Sequence, residues 1–272
     1  MSFERELQAA LEAADRAGRE LERRYAAFVA IPDAPASIST DADRVSQEII
    51  LGLLRREFPG DALCAEEATP TLAGAARTGP RLWVVDPIDG TRGFARKNGE
   101  FSVMVGFVHE GQIAVGVVLE PAPGRLTYAV RGEGCWRRDR GDAEAARCRV
   151  TAVPELSAAT LVQSHAKTPG GRSRWVEALK PARVTETYSA GVKLARVARG
   201  EADLYLNTYP NFHDWDSCAG QVLVEEAGGR VTGLRGEGLR YGLPGADQKH
   251  GLLASNGLLH DAALRALAPL VA

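Results

Sequence analysis

The sequence predicts an α/β protein in which helices layer on sheets. Three observations predict it: two amphipathic helical stretches open the chain, a run of extended apolar segments follows, and the last 120 or so residues alternate between the two patterns. At about 150 residues per domain, 272 residues make one large domain or two fused subdomains with a sizeable core.

Phe3, Leu7, Leu11, Ala14, Leu21, Tyr25 and Phe28 recur at three- and four-residue steps, the mark of a helix with one buried face, and Pro32 and Pro35 are its expected stop. Thr40 to Asp43 reads as a capping box, opening a second helix through Val45, Ile49, Leu53 and Leu54 that should stop at Pro59-Gly60. The period then becomes extended. Arg81 to Asp86 is a short apolar run of buried-strand type. Phe101 to Val108, Ile113 to Leu119 and Leu126 to Val130 follow it, separated by turn residues at 110–112 and 121–124, as in an antiparallel meander. Beyond a turn-rich stretch at 141–153, strands are expected near Leu161-Val162, Val184, Ala202 to Leu206 and Leu252 to Ala254. Helices are expected through Trp175 to Leu179, from Ser189 to Ala198, from about Asp216 to Ala227, and at the end. There is no internal repeat.

Charge excludes several classes. Against 35 acidic residues stand 33 basic ones, a net charge of −2, so the chain lacks the basic surface of a general nucleic-acid binder. No apolar run approaches the roughly 18 residues that span a bilayer, and the first residues lack the layout of a signal peptide, so a cytoplasmic protein without membrane partners is expected. Cys64, Cys135, Cys148 and Cys218 form no C-x-x-C pair, which points to buried reduced thiols rather than a zinc or redox motif. The oligomeric state is not legible; a homodimer is compatible with the sequence, while burial on its own sheet already explains the apolar stripe of the first helix.

The segment Trp83-Val-Val-Asp-Pro-Ile-Asp-Gly-Thr91 carries the most chemistry. An apolar strand delivers Asp86 at its end, Pro87 stiffens the exit, and Asp89-Gly90 turns the chain so that two carboxylates can face one space. Two carboxylates with a backbone carbonyl, that of Ile88 for instance, suit a hard cation such as Mg²⁺; a plain turn explains the same residues. Glu66-Glu67 closes the apolar run 62–65, and Asp216 opens a helix in His213-Asp-Trp-Asp-Ser-Cys-Ala-Gly220. Taken singly, Glu66 or Glu67 can be a solvated turn residue, Asp216 a helix N-cap and Asp43 a capping-box member. A site of this composition holding two or three Mg²⁺ ions matches hydrolysis of phosphate esters by water. Helix starts at Gly90-Thr91 and at Ser189-Ala190-Gly191 can each offer amides to a phosphate.

Rival phosphate chemistries fail on inspection. No cysteine is followed by Arg six positions on, no lysine follows a glycine as in a P-loop, and no G-x-S-x-G elbow occurs. Asp41-Ala-Asp43-Arg-Val45 fits the D-x-D-x-[TV] of haloacid-dehalogenase-type phosphatases, but Ala34-Pro-Ala-Ser-Ile-Ser39 precedes it in place of a buried strand.

The chain resembles the inositol monophosphatase superfamily of Mg²⁺-dependent, lithium-sensitive phosphatases. The resemblance rests on Trp83 to Thr91, on Trp215 to Gly220 with Glu226-Ala-Gly-Gly229, on Glu66-Glu67 and on Thr40 to Asp43, in the family's order over nearly the whole chain. It implies a layered αβαβα sandwich and metal ligation by Glu66, Asp86, Asp89, Asp216 and the Ile88 carbonyl. It implies that Asp43 and Thr91 orient and deprotonate the attacking water with help from Glu66, and that Gly90 and Thr91 hold the phosphate. An N-terminal subdomain, 1–150, would then carry most ligands, and a C-terminal one, 151–272, would add Asp216 and substrate contacts.

Among branches, Asp89 to Phe94, Asn98 to Val103 and Ser189-Ala-Gly-Val-Lys193 are similar to the 3'(2'),5'-bisphosphate nucleotidases. A small phosphorylated substrate with two phosphates is therefore expected, with Lys193 and Arg92 or Arg96 beside Ser189 and Ala190 as its further contacts. An inositol-1-phosphate or sugar-phosphate monophosphatase is the alternative, and a non-catalytic metal-binding scaffold is the alternative of another class. Inositol-specific members carry a glutamate where this chain has Asn207, and the loop from there to Trp215 is longer here. The family's lysine ahead of Thr40 is also missing, since none of the five lysines precedes Lys97.

Overall fold

A computed structural model describes residues 2–166, 173–209, 212–244 and 248–271. In chain order the helices are α1 (Glu4–Ala27), α2 (Asp41–Glu57), α3 (Pro70–Ala73), α4 (Thr91–Ala95), α5 (Arg174–Leu179), α6 (Ala190–Ala198), α7 (Asp214–Glu226) and α8 (His260–Leu267). The strands are β1 (Ala62–Ala65), β2 (Arg81–Asp89), β3 (Ser102–His109), β4 (Gln112–Glu120), β5 (Arg125–Val130), β6 (Gly134–Asp139), β7 (Ala146–Arg147), β8 (Thr160–Gln163), β9 (Arg183–Glu186), β10 (Leu204–Asn207), β11 (Arg230–Thr232) and β12 (Leu252–Ser255).

Strands β1 to β7 form one sheet in sequence order, antiparallel except for the parallel pair β1·β2. Its apolar runs are continuous because both faces are covered. Trp83, Val85, Val103 and Val105 pack under α1 and α2, whereas the alternating Val84 and Met104 face α6 and α7. Trp83 is fully buried and its indole N–H donates to Asp61 at 3.0 Å, so truncating it to alanine would cost about 3–5 kcal/mol. Gly106 and Gly116 pair across β3 and β4 and let α7 lie on the sheet: a Cβ on Gly116 would stand 2.3 Å from the Ala219 carbonyl.

The second sheet runs β11-β12-β10-β8-β9, with β8, β9 and β10 parallel, so their C-terminal ends share one edge. One face shares a core with α6 and α7 through Val162, Tyr205, Leu252 and Ala254; the other buries Leu161, Leu204 and Leu253 against α5 and α8. The layers are thus helix, sheet, helix, sheet, helix, the expected sandwich.

Several details depart from the expectations. Helix α1 stops at Ala27, where Phe28 turns extended, ahead of Pro32, because Tyr25 and Phe28 dock on Phe94 with ring centroids 5.2 and 5.1 Å apart. Strands β6, β7 and β11 and helices α3 and α4 have too short or too polar a pattern to announce themselves. Helix α7 begins at Asp214, so Asp216 is its third residue and not its N-cap.

Candidate active site

Strand β2 shapes the centre of the site. Its register against β3 slips between Asp86 and Asp89, where three steps along β2 oppose two from Met104 to Ser102. In a regular strand Asp86 and Asp89 would point to opposite faces; the extra residue re-aims one of them. Both carboxylates then meet Asp216 from the first turn of α7, the three offering oxygens within 4.8 Å of one another. Asp86 and Asp89 are buried, and Asp216 is partly exposed.

The three acids are held differently. Asp89 accepts the Ala190 and Gly191 amides at 3.0 and 2.6 Å, together with the hydroxyls of Ser189 and of Ser102, the latter at 3.2 Å. Asp216 accepts the His213 amide at 2.6 Å. Among the described residues Asp86 accepts only the Ile88 amide, at 3.1 Å. Burial, then the charges of Glu66, Asp89, Asp216 and Asp43, push its carboxyl well above the carboxylate range. Asp216 rises too, through burial first and the Asp89 charge against the pull of His213.

Glu66 follows β1 and lies outside the three-acid group. Its residue reaches solvent, but the surrounding protein and the charges of Asp216, Asp43, Glu67 and Asp89 push its carboxyl up to about 8. The loop bearing it is clamped by Gln47, fully buried on α2, whose amide exchanges hydrogen bonds with the Glu67 backbone at 2.6 and 2.8 Å. Neighbouring Ser46 donates to the Pro87 carbonyl at 2.9 Å. The helical spacing of α2 carries both residues, but a polar pair on a helix resembles a solvated face until the loops it anchors are known.

Asp43 works twice. As the third residue of α2 it accepts the Thr40 amide at 2.8 Å, completing the capping box, while its other oxygen accepts the Thr91 hydroxyl at 2.8 Å. Burial raises its pKa against the pull of these hydrogen bonds. The Thr91 hydroxyl also lies 2.9 Å from the Ile88 carbonyl. Gly90 makes this corner with φ 87°, and a Cβ there would stand 2.7 Å from the Glu100 carbonyl. Helix α4 starts at once, with Arg92 on its first turn.

Three expected substrate contacts are engaged by the chain itself. The amides that open α6 are not open to a phosphate, because Asp89 occupies them; Ser189 and Ala190 hold that carboxylate instead. The Lys193 ammonium is buried and donates all three of its protons, to Ser164 Oγ, Thr187 O and Tyr188 O, each at 3.0 Å. It ties the ends of β8 and β9 together, and burial pulls its pKa down to about 8.

Arg92 does face the rim. Its guanidinium lies 5.3 Å from the Tyr188 ring, and its buried Nε has no hydrogen-bond partner among the described residues. Arg96 donates to the Tyr188 hydroxyl at 2.7 Å. His165, unmarked in the sequence because a lone histidine carries no signature, lies with its ring 4.3 Å from that of Tyr188 and tilted by 41°, between Glu100 at 2.7 Å and Glu186 at 3.4 Å. Asn207 closes β10, and its buried Nδ2 also lacks a partner among the described residues. Part of the loop that follows, residues 210 and 211, lies outside the described residues.

No strand precedes Asp41, which opens a helix, so the aspartyl-phosphate alternative has no scaffold. Among the described residues no helix is long and apolar enough to cross a membrane.

The chain is similar to known proteins over nearly its whole length. Residues 3–271 match the inositol monophosphatase family. A histidinol-phosphatase of Mycobacterium tuberculosis is 33% identical over 267 residues, covering 96% of this chain and 97% of that one. The 3'(2'),5'-bisphosphate nucleotidase CysQ of Salmonella typhimurium is 31% identical over 202 residues, 74% of this chain and 78% of that one. The structure of an inositol monophosphatase from Anabaena superimposes with a TM-score of 0.81 at 30% identity, covering 99% and 97% of the two chains. The chain therefore belongs to the inositol monophosphatase family and is a phosphoric monoester hydrolase.

Proposed function

We propose that the chain is a Mg²⁺-dependent phosphatase that hydrolyses 3'-phosphoadenosine 5'-phosphate, or a closely related bisphosphate, to the monophosphate and inorganic phosphate. The observation that carries the phosphatase chemistry is the convergence of Asp86, Asp89 and Asp216 within 4.8 Å, beside the Thr91–Asp43 pair. Three converging carboxylates, two of them buried, call for a cation, and Asp86, with a single N–H partner among the described residues, has oxygen lone pairs to give one. Glu66, the Ile88 carbonyl and these three acids are the ligands we assign. Bound there, two or three Mg²⁺ ions would neutralise the phosphoryl oxygens and acidify the attacking water.

The chain's own groups supply the rest. Thr91 donates its hydroxyl proton to Asp43 and so presents lone pairs to a water, which it can orient and relieve of a proton through the same carboxylate. Gly90 and Thr91 open α4, where the first amides have no intrahelical partner and can hold phosphate oxygens. Arg92 and Arg96 give a second anionic group its countercharge, and the flat rings of His165 and Tyr188 beside them suit a purine. Asn207 in place of a carboxylate weakens the case for a polyol.

The longer coverage of the histidinol-phosphatase relative favours a second substrate, histidinol phosphate. Phosphate release measured with Mg²⁺ on the bisphosphate nucleotide, inositol-1-phosphate, fructose-1,6-bisphosphate and histidinol phosphate, with and without lithium, separates them. The nucleotide is expected to lead in kcat/KM by about tenfold or more, each factor of ten being 1.4 kcal/mol of transition-state binding. A clear preference for any other member would refute the nucleotidase assignment while leaving the phosphatase intact.

A further inference from the structure

At the edge of the first sheet farthest from β1 and β2, two cysteines face each other. Strand β6 pairs with β7 through Trp136↔Arg147 and Arg137↔Ala146, so the next rung sets Cys135 opposite Cys148, and the Cys148 amide donates to the Cys135 carbonyl at 2.8 Å. Directly opposed residues in an antiparallel pair have Cα atoms about 4.5–5.5 Å apart, inside the span a disulfide bridges. Both side chains belong to the same interior cluster. Neither takes part in the phosphatase chemistry.

We propose that Cys135 and Cys148 are a modification site, a dithiol that a hydroperoxide oxidises to an intramolecular disulfide. The two thiols are not equivalent. Cys148 is slightly exposed, beside a two-residue edge strand whose own side chains are in solvent, whereas Cys135 is sealed. The neighbouring Cys135 thiol, then the Arg199 and Arg137 guanidiniums, hold the Cys148 thiol below its usual range, while the Cys148 thiol and burial push Cys135 up. Cys148 is therefore the attacking sulfur. Its thiolate takes one peroxide oxygen, the O–O bond breaks, and hydroxide leaves as water with the thiol's proton. The Cys135 sulfur then attacks the resulting sulfenic acid, the S–S bond forms, the S–O bond breaks, and a second water leaves with the Cys135 proton. Two thiols are oxidised by two electrons and one hydroperoxide is reduced. Cys64 and Cys218 are not strand partners: Cys64 lies opposite Val84 and Cys218 is on α7, and burial pushes Cys64 up to about 12 and Cys218 well above its usual range.

The native protein, reduced and then treated with hydrogen peroxide, is blocked with N-ethylmaleimide, digested with trypsin and mapped by mass spectrometry. The expected product is the 132–137 peptide joined to the 148–149 dipeptide, lighter than their sum by two hydrogens and separated by dithiothreitol. In Cys135→Ser the reaction should stop at a Cys148 sulfenic acid that a 1,3-dione labels. Recovery of both cysteines singly alkylated from oxidised wild type, or a link that involves Cys64 or Cys218, would overturn the proposal. So would dione labelling of Cys135 in Cys148→Ser that exceeds labelling of Cys148 in Cys135→Ser.

Discussion

Asp86 and Asp89 sit three residues apart on one strand and are buried alike, yet the fold treats them in opposite ways. Asp89 is satisfied: two amides at the start of α6 and two serine hydroxyls surround it, as a helix N-terminus should surround an anion. Asp86 is left with one amide among the described residues and the charges of four acids, Glu66, Asp89, Asp216 and Asp43. One carboxylate holds two layers of the sandwich together and the other keeps lone pairs for the cation proposed above, so the same substitution should read differently at the two positions.

The largest effect on activity is expected at the unsatisfied acid. Asp86→Asn removes a charge the fold does not use, so circular dichroism should show an intact protein while phosphate release falls by about 100-fold or more. Asp89→Asn should fail in another way. Both Asp89 oxygens accept a backbone N–H, so either orientation of the amide sets its NH₂ against a donor, at a cost of about 2–3 kcal/mol that a lowered thermal midpoint reports. Equal stability of the two variants would break the contrast.

Thr91→Val sharpens the contrast from the other side. It keeps the volume and removes the hydroxyl that bridges Asp43 to the water, so kcat should fall by about 100-fold with KM little changed. Lys193→Met comes next. If the ammonium serves the loops, as its three hydrogen bonds indicate, the midpoint should drop by the equivalent of about 2 kcal/mol with KM for the bisphosphate nearly constant. A raised KM at unchanged stability would return Lys193 to the substrate.

The smallest effect lies outside the site and follows the same rule of satisfied burial. His260 is enclosed between Ser255 Oγ and Thr232 Oγ1, each at 2.9 Å, and burial lowers its pKa from 6.5 to about 4. Between those values the unfolded chain binds the proton that the folded one refuses. His260 stabilises the fold above pH 6.5, and that contribution is lost as pH falls toward 4. Denaturant midpoints of wild type and His260→Asn across pH 4–7 should converge at the acid end.

Much of this was legible in the residues. The capping box at Thr40 to Asp43, the apolar delivery of Asp86 and the alternation after residue 150 are local patterns, and local patterns survive folding. Two things were not. The bulge that brings Asp89 round to Asp86 depends on pairing with Ser102 and Met104, which no stretch of β2 encodes alone. The fates of Ser189, Ala190 and Lys193 depend on who reaches them first: a helix start looks like an anion site in sequence, and only the folded chain shows that its own aspartate fills it.

The central claim is that the three acids exist to bind Mg²⁺. Calorimetric titration of Mg²⁺ into wild type and Asp86→Asn, both verified as folded, tests it most directly. Saturable binding to wild type, with affinity lower by about 100-fold or lost in the variant, is the predicted result. Equal binding by the two proteins would contradict it.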